Sequence, residues 1–276
     1  MAIKKLTIEE FLALAKEFPV LDVRSPGEYN HAHIPGAYSL PLFTDEERKV
    51  VGTMYKQQSR EAAIKIGLDY FGVKMKKMVE EAESITANHK LQTSNLKHET
   101  SNTVLVHCWR GGMRSAGVAW LLDLYGFKVY TLVGGYKAYR KWALAQFEKE
   151  YSFQIIGGFT GSGKTDVLRS LPQQSQTIID LEALASHKGS AFGAIEGKPQ
   201  PKQEMFENLL AHALADTGHR IQDQESGIPH PASCIWIEDE SQRIGNLQIP
   251  MPLWHTMRRA PVFFLDIPFE ERLAYI

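Results

Sequence analysis

The chain has 276 residues, of which 43% are hydrophobic and 23% charged, and its formal net charge is −1 at pH 7. That length suits two domains, the near-neutral charge gives no overall attraction to nucleic acid, and two cysteines provide no disulfide framework. No apolar run approaches the roughly 20 residues of a membrane helix, and the N-terminus lacks the apolar core of a signal peptide. We therefore expect a cytoplasmic protein that does not associate with a membrane.

The N-terminal segment shows the pattern of a helix followed by a buried strand. Thr7 and Glu10 have the spacing of a capping box ahead of an apolar run. Residues 19–24 then form a short apolar strand that ends in Asp22 and Arg24. His31 and His33 follow without a third metal ligand close by, so we interpret them as hydrogen-bonding loop residues.

A basic helical segment spans about residues 41–77, and a capping pair of Thr44 with Glu47 opens it. Residues 48–77 contain eight Lys or Arg against two acidic residues, and three aromatic residues lie among them. This pattern fits a surface that contacts nucleic-acid phosphates and stacks on bases, and it fits equally a solvated helix face with its aromatics in the core. The candidate nucleic-acid contacts are Arg48, Lys49, Lys56 and Arg60.

The residues around Cys108 form the first candidate site. Residues 84–103 are polar and aperiodic, which predicts a surface loop, and an apolar strand then leads to the cysteine. A helix is expected from about Ser115. The loop between them, which we expect to bind an anion, consists of Trp109, Arg110, Gly111, Gly112, Met113 and Arg114.

The loop predicts a reactive role for Cys108. Backbone N–H groups, a helix N-terminus and two guanidinium groups all favour the thiolate, so its pKa should lie below the free value of about 8.5. The alternative is an inert core thiol, which is the commoner fate of a buried cysteine. Cys234 lacks both the glycine turn and nearby arginines, so we assign it a structural role.

Strands and helices alternate through residues 1–146, which indicates an α/β domain with a mostly parallel sheet. A second candidate site opens the region from residue 150. A predicted strand at 153–158 leads into a complete G-x-x-x-x-G-K-[ST] loop followed by a helix at 166–171. The phosphate-binding residues of this loop are Gly158, Gly161, Ser162, Gly163, Lys164 and Thr165.

Three further strands in this region have acidic ends: Thr177–Asp180, Cys234–Glu240 and Pro261–Asp266. Asp180 or Glu238 could hold a Mg²⁺ ion through water together with Thr165, or could simply cap a helix, and the sequence leaves both open. We therefore expect residues 150–276 to form a doubly wound, parallel-sheet P-loop domain. The chain ends in what resembles the first turns of a helix, so we expect this domain to be incomplete.

Several strings in the first domain resemble rhodanese domains. They are Leu21-Asp-Val-Arg24, His33-Ile-Pro-Gly-Ala37, the Cys108 to Arg114 loop and Leu132-Val-Gly-Gly135. In that family the loop cysteine carries a persulfide, so the resemblance implies sulfur or selenium carriage on Cys108. The basic insert at 41–77 is a departure, because ordinary rhodaneses lack it.

Across nearly its whole length the chain resembles the bacterial tRNA 2-selenouridine synthase family. The resemblance adds longer strings to the two loops: 41–48, 51–55, 187–193 and 238–245. It implies that selenium from selenophosphate replaces the sulfur of wobble 2-thiouridine in tRNA, by way of a thiouridine geranylated from geranyl diphosphate. It also implies that Cys108 carries selenium, that Arg110 and Arg114 bind the phosphate, and that the P-loop holds the diphosphate.

The resemblance adds weight to the basic insert as a tRNA contact. We expect a monomer that depends on a supply of selenophosphate and has no tightly bound cofactor, with Mg²⁺ as an optional ion. The residues also allow a P-loop ATPase or kinase with a regulatory rhodanese domain, or a sulfur-relay or RNA-binding module. A phosphatase, suggested by Cys-x5-Arg, is disfavoured because no general acid is evident.

Overall fold

A computed structural model describes residues 3–92, 102–188, 198–222 and 234–275. The chain divides into two compact units, Met1–Trp142 and Ala143–Ile276. Within the described part of the chain, no helix combines the length and apolarity needed to cross a membrane.

The first unit contains one five-stranded sheet in which every pair of neighbouring strands is parallel. Its strands are β1 (Lys4–Leu6), β2 (Val20–Asp22), β3 (Tyr38–Ser39), β4 (Thr103–His107) and β5 (Lys128–Leu132). They lie in the order β1-β5-β4-β2-β3. The helices are α1 (Ile8–Leu14), α2 (Pro26–His31), α3 (Asp45–Gln57), α4 (Arg60–Gly72), α5 (Met75–Gln92), α6 (Met113–Tyr125) and α7 (Gly135–Gln146). The α/β fold predicted for this region is confirmed.

Strand β4 occupies the centre of this sheet, and all five of its residues are buried. Val104 and Val106 belong to a core that also receives Val118 and Leu122 from α6. A central strand buried on both faces reads as a continuous apolar run, which is why it is recognisable in the sequence. Cys108 follows the carboxyl end of this strand, where the loop begins.

The insert between β3 and β4 consists of three helices, α3, α4 and α5. Phe71 is 6% exposed in the core, whereas Tyr55 is 55% exposed. The insert therefore has an interior face as well as a solvated basic face. Both predicted capping boxes, Thr7 with Glu10 and Thr44 with Glu47, are confirmed.

The predicted surface loop at 84–103 is wrong for residues 84–92, which belong to α5. Thr86 shows why a polar sequence could be helical there. Its side chain is 3% exposed, and its hydroxyl donates to the carbonyl of Ala82 at 2.7 Å, so the polar group is satisfied inside the helix. Residues 93–101 lie outside the described residues.

The second unit contains a four-stranded parallel sheet in the order β11-β6-β8-β7. Its strands are β6 (Phe153–Gly158), β7 (Thr177–Ile179), β8 (Ile235–Glu238) and β11 (Val262–Leu265), and a separate antiparallel pair comprises β9 (Arg243–Ile244) and β10 (Leu247–Gln248). The helices are α8 (Lys164–Ser170), α9 (Leu181–Ala185), α10 (Gln203–Gln222), α11 (Met251–Arg258) and α12 (Phe269–Tyr275), with a 3-10 turn at Leu171–Gln174. This arrangement agrees with the predicted P-loop type of α/β domain.

The burial of Phe71 predicts that the insert is a stable part of the first unit. We expect Phe71→Ala to lower the free energy of unfolding by about 3 kcal/mol, because a buried aromatic side chain leaves a cavity. Leu68→Ala, on the same helix but 57% exposed, is the matched control and should change stability by less than about 1 kcal/mol. Urea unfolding followed by tryptophan fluorescence measures both. Equal losses in the two variants would show that the insert does not pack on the core as described.

Candidate functional site

Cys108 lies directly after β4 and is 3% exposed. Its Sγ is 3.2 Å from the hydroxyl oxygen of Ser115. That hydroxyl also lies 3.0 Å from the carbonyl oxygen of Gly112, so it can donate to either atom. The backbone N–H groups of Arg110 and Ser115 donate to the sulfur as well. The loop therefore surrounds the sulfur with hydrogen-bond donors.

These donors act on the pKa of Cys108. Burial by itself would raise the pKa of the thiol, but the Ser115 hydroxyl, the amides of Ser115 and Arg110 and the charge of Arg114 outweigh burial and lower it. The direction is the one predicted from the loop sequence. A thiolate is both the nucleophilic form of cysteine and the form that binds soft electrophiles, so the arrangement favours chemistry at sulfur.

The start of α7 fixes the position of this loop. The N–H of Tyr136 donates to the carbonyl of Cys108 at 2.8 Å, and the N–H of Lys137 donates to the carbonyl of Trp109 at 3.0 Å. A Cβ on Gly135 would lie 2.3 Å from the carbonyl oxygen of Cys108, and the backbone φ there is +57°. Only glycine is compatible with so close an approach and with that φ.

A buried ion pair supports the other side of the loop. Arg24, 1% exposed, binds Asp22 at 2.6 Å and donates to the carbonyl of Ala32 at 2.7 Å. The centre of its guanidinium lies 3.8 Å from the ring centroid of Tyr136 and 5.9 Å from that of Trp109. A buried ion pair is sustained when its hydrogen bonds are satisfied, as they are here for Arg24. It holds the aromatic residues that flank Cys108.

Arg114 is bound to a carboxylate that the sequence analysis did not identify. Its guanidinium donates to Glu28 at 2.7 Å and 3.4 Å. Arg48 of the insert reaches the same carboxylate, with its Nε 2.9 Å from Glu28 Oε2. Burial would raise the pKa of Glu28, but these two arginines and the amide of Ser25 lower it to about 2. The carboxylate therefore ties the insert to the Cys108 loop.

The remaining residues predicted for this region occupy two kinds of position. Arg60, on α4, has its Nη2 4.0 Å from the sulfur of Met113, so a second cation of the insert lies beside the loop. Lys49 and Lys56 are exposed on α3.

The helix after the loop begins at Met113, two residues earlier than expected, so Met113 and Arg114 belong to its first turn. Residues exposed around the sulfur are Trp109, Arg110, Gly111, Gly112 and Met113.

The P-loop connects β6 to α8 in the second unit. Gly158, Gly161 and Gly163 have φ values of +152°, +79° and +74°, which favour glycine. The ammonium group of Lys164 donates to the carbonyls of Gly158 at 3.0 Å and Phe159 at 3.3 Å. Helix α8 begins at Lys164 rather than at residue 166. The loop thus curls around its own lysine in the manner that phosphate binding requires.

Two side-chain oxygens near this loop lack hydrogen-bond partners among the described residues. They are Ser162 Oγ, in a residue 7% exposed, and Glu238 Oε1, in a residue 2% exposed. The carboxylate of Glu238 also accepts a hydrogen bond from Thr165. Buried polar atoms without partners are costly, and at a functional site they indicate a place for a ligand or ion.

The acidic residues after β7 and β8 have different roles. Asp180 caps α9, because it accepts from the N–H of Ala183 at 2.8 Å and pairs with Arg169 at 2.9 Å. Glu238 instead lies with Glu182 and Glu240, and one carboxylate oxygen from each is within 4.8 Å of the others. Among the residues that the structure describes, these three side chains form the group whose spacing could hold a metal ion. Carboxylate oxygens suit Mg²⁺, so the residues fit such an ion.

Glu182 and Glu240 join the site although neither was predicted from the sequence as a metal ligand. Burial and the charge of Glu182 raise the pKa of Glu238 to about 7, although the hydrogen bond from Thr165 opposes the rise. Burial followed by the charges of Glu182 and Glu238 likewise raises the pKa of Glu240 to about 7. The alternation of Glu238 and Glu240 in the sequence is a signal that both point to one side of an extended chain.

Two family models match this chain. The model described as "Rhodanese-like domain" matches residues 7–141. The model described as "tRNA 2-selenouridine synthase AAA domain" matches residues 151–276. The first match lies within the unit Met1–Trp142 and the second within the unit Ala143–Ile276.

Proteins named tRNA 2-selenouridine synthase match nearly the whole chain. The one from Nitrosomonas europaea is 35% identical over 274 residues, which cover 98% of this chain and 65% of that protein. The one from Cupriavidus pinatubonensis is 36% identical, with 94% of this chain and 64% of that protein covered. The one from Bdellovibrio bacteriovorus is 36% identical, with 99% and 67% covered. The chain therefore spans about two thirds of the length of these relatives.

The Ser115 hydroxyl is expected to set the pKa of Cys108. In a Cys234→Ser background, where Cys108 is the one remaining thiol, Ser115→Ala should raise the pKa of Cys108, because the thiolate loses a donor. The pH dependence of alkylation by iodoacetamide gives that pKa. An unchanged alkylation profile in Ser115→Ala would show that the hydroxyl does not stabilise the thiolate.

The ion pairs of Glu28 predict a pH-dependent contribution to stability. Because its pKa falls from 4.5 unfolded to about 2 folded, the contribution is present above pH 4.5 and is lost as the pH falls towards 2. Thermal unfolding of Glu28→Gln should give a lower Tm than the unsubstituted chain at pH 7, with the difference shrinking between pH 5 and pH 2. The exposed Glu9→Gln is the control. A difference in Tm that is constant with pH would contradict the role assigned to these ion pairs.

Proposed function

This chain belongs to the tRNA 2-selenouridine synthase family, and from that membership we propose that it replaces the sulfur of wobble 2-thiouridine in tRNA with selenium. The proposed substrates are tRNA, selenophosphate and geranyl diphosphate, and the proposed place of action is the cytoplasm. One observation supports the proposal most. A single chain with these relatives contains both a cysteine with a lowered pKa and a complete P-loop.

In the proposed first step the P-loop binds geranyl diphosphate. The thiocarbonyl sulfur of the uridine attacks the allylic carbon, the bond from that carbon to oxygen breaks, and pyrophosphate leaves with the electron pair. The N3 proton of the base passes to solvent, which leaves the S-geranyl base neutral. Negative charge develops on the leaving group, so fixed positive groups accelerate the reaction. Lys164 and the backbone N–H groups of residues 161–165 would supply that charge, and Thr165 with Glu238 could hold a Mg²⁺ ion that would add to it.

In the proposed second step the Cys108 thiolate attacks C2 of the S-geranyl thiouridine, the bond from C2 to sulfur breaks, and geranylthiolate leaves. The selenium of selenophosphate then displaces Cys108 from C2, and water cleaves the selenium–phosphorus bond to release phosphate, so selenium stays at the selenide level throughout. The lowered pKa of Cys108 supports this role, because the thiolate is the nucleophilic form of cysteine. Arg110 is exposed at the rim of the loop, where it could bind the phosphate of selenophosphate. Arg114 is held by Glu28, so its charge is shared between that carboxylate and any incoming anion.

The insert is the proposed tRNA contact. Arg48 binds Glu28, the carboxylate that also holds Arg114, and Arg60 lies beside Met113 of the Cys108 loop. Lys49 and Lys56 are exposed on the same insert. The target base of a bound tRNA must reach the reactive sulfur. Cations on the surface beside that sulfur suit the phosphate groups of the tRNA backbone. Three aromatic residues of the basic segment, Tyr55, Tyr70 and Phe71, were candidates for base stacking. Phe71 is buried in the core and therefore unsuited to stacking, whereas Tyr55 is exposed.

Separate losses in two variants test this division of labour. We expect Cys108→Ala to abolish selenouridine and to leave geranylated thiouridine, because the thiolate enters after geranylation. Lys164→Ala should reduce the geranylated product by a factor on the order of 100, because it removes a cation at the leaving group. Mass spectrometry of tRNA nucleosides from cells that express each variant measures both products.

Cys234→Ala and the exposed Lys198→Ala are the matched controls, and both should leave the product profile unchanged. Identical profiles for Cys108→Ala and Lys164→Ala would remove the proposed division between the two loops. Turnover of ATP that depends on Lys164, without any change in tRNA nucleosides, would favour a nucleotide-dependent function instead.

A further inference from the structure

Glu182, Glu238 and Glu240 bring three carboxylates together beside the P-loop. Glu182 lies in α9, Glu238 ends β8, and Glu240 follows two residues later. The hydrogen bond from Thr165 to Glu238 connects the group to the last residue of the phosphate-binding motif. The sheet order makes this possible, because β7 and β8 are neighbours and their carboxyl ends meet at the same edge.

The spacing of the three oxygens suits a single divalent ion. Two oxygens on one Mg²⁺ or Mn²⁺ are separated by at most about 4.2 Å, and two on one Ca²⁺ by at most about 4.8 Å, given metal–oxygen distances of roughly 2.1 Å and 2.4 Å. In this cluster one carboxylate oxygen from each of the three side chains lies within 4.8 Å of the other two. Small rotations of the carboxylates would therefore close the group around an ion.

A second observation points to a ligand at the same place. Glu238 is 2% exposed, and its Oε1 has no hydrogen-bond partner among the residues that the structure describes. Glu240 is also buried, at 9% exposure. Burying carboxylates next to one another is unfavourable unless a cation or a shared proton offsets the repulsion. A bound cation would both offset that repulsion and give Glu238 Oε1 a partner.

We propose that Glu182, Glu238 and Glu240 bind one divalent cation of the Mg²⁺ class, and that they do so before any phosphate group arrives. The site differs from one in which the ion enters already bound to phosphate, because three protein carboxylates supply its ligands. Its role, to neutralise charge on a diphosphate held by the neighbouring loop, rests on the proposed function. The binding of the ion does not depend on that function.

Direct binding of Mn²⁺ to the full chain in phosphate-free buffer tests the site. Electron paramagnetic resonance distinguishes free from bound Mn²⁺, and competition with Mg²⁺ establishes the class of ion. We expect one Mn²⁺ per chain, displaced by Mg²⁺. Glu182→Gln and Glu240→Gln should each weaken the affinity about tenfold or more, because each removes one charged ligand.

Asp239→Asn is the matched control. It also removes one carboxylate charge, at the position between Glu238 and Glu240 in the sequence, but the Asp239 carboxylate pairs with Arg258 at 2.5 Å. It should change the affinity less than about threefold. Circular dichroism tests whether each variant is folded, and Mn²⁺ should raise the Tm of the unsubstituted chain and of Asp239→Asn but not of the two glutamine variants. Where a glutamine variant is less stable than the unsubstituted chain, the effect of Mn²⁺ on its Tm still shows whether the ion binds.

The proposal is overturned if the phosphate-free chain binds no stoichiometric Mn²⁺, or if Asp239→Asn weakens binding as much as Glu240→Gln does. It is overturned equally if the glutamine variants keep the full affinity, since the carboxylates would then share protons rather than bind an ion. Stoichiometric Mn²⁺ binding in a chain that leaves tRNA unmodified would remove the proposed function while the cation site stands.

Discussion

The close contact between Gly135 and the backbone of the Cys108 loop is the constraint on which the first site depends. A side chain there would overlap the carbonyl of Cys108, and the N–H of Tyr136, one residue later, binds that same carbonyl. With its carbonyl held by α7, the cysteine can direct its sulfur towards the N–H groups of the loop. The lowered pKa of Cys108 is therefore a consequence of how a strand, a loop and a second helix pack.

Both candidate sites use one physical device. Each lies at the carboxyl end of a central parallel strand, β4 or β6, and each surrounds an anion position with backbone N–H groups that glycines allow to converge. They differ in what supplements the backbone. A thiol and a hydroxyl complete the first site, whereas an ammonium group and a cluster of carboxylates complete the second. That difference separates chemistry at sulfur from the binding of phosphate.

The sequence identified those parts of the molecule that local rules determine. The capping boxes at Thr7 and Thr44 follow from residues three apart, and the P-loop from an eight-residue motif. Contacts between distant segments were not predictable. Glu28 and Arg114 are 86 residues apart, and Glu182 meets Glu240 because β7 and β8 are neighbours in the sheet. The helical residues 84–92 were missed because their polar groups are satisfied within a packed helix, which periodicity alone does not reveal.

We propose that one chain both geranylates and selenates the same base. The most direct measurement incubates the purified chain with tRNA containing 2-thiouridine and supplies geranyl diphosphate and selenophosphate separately and together, with mass spectrometry of the nucleosides. We expect S-geranyl thiouridine with geranyl diphosphate alone and selenouridine when both are present. Unchanged thiouridine in all three reactions, or selenouridine formed without geranyl diphosphate, would contradict it.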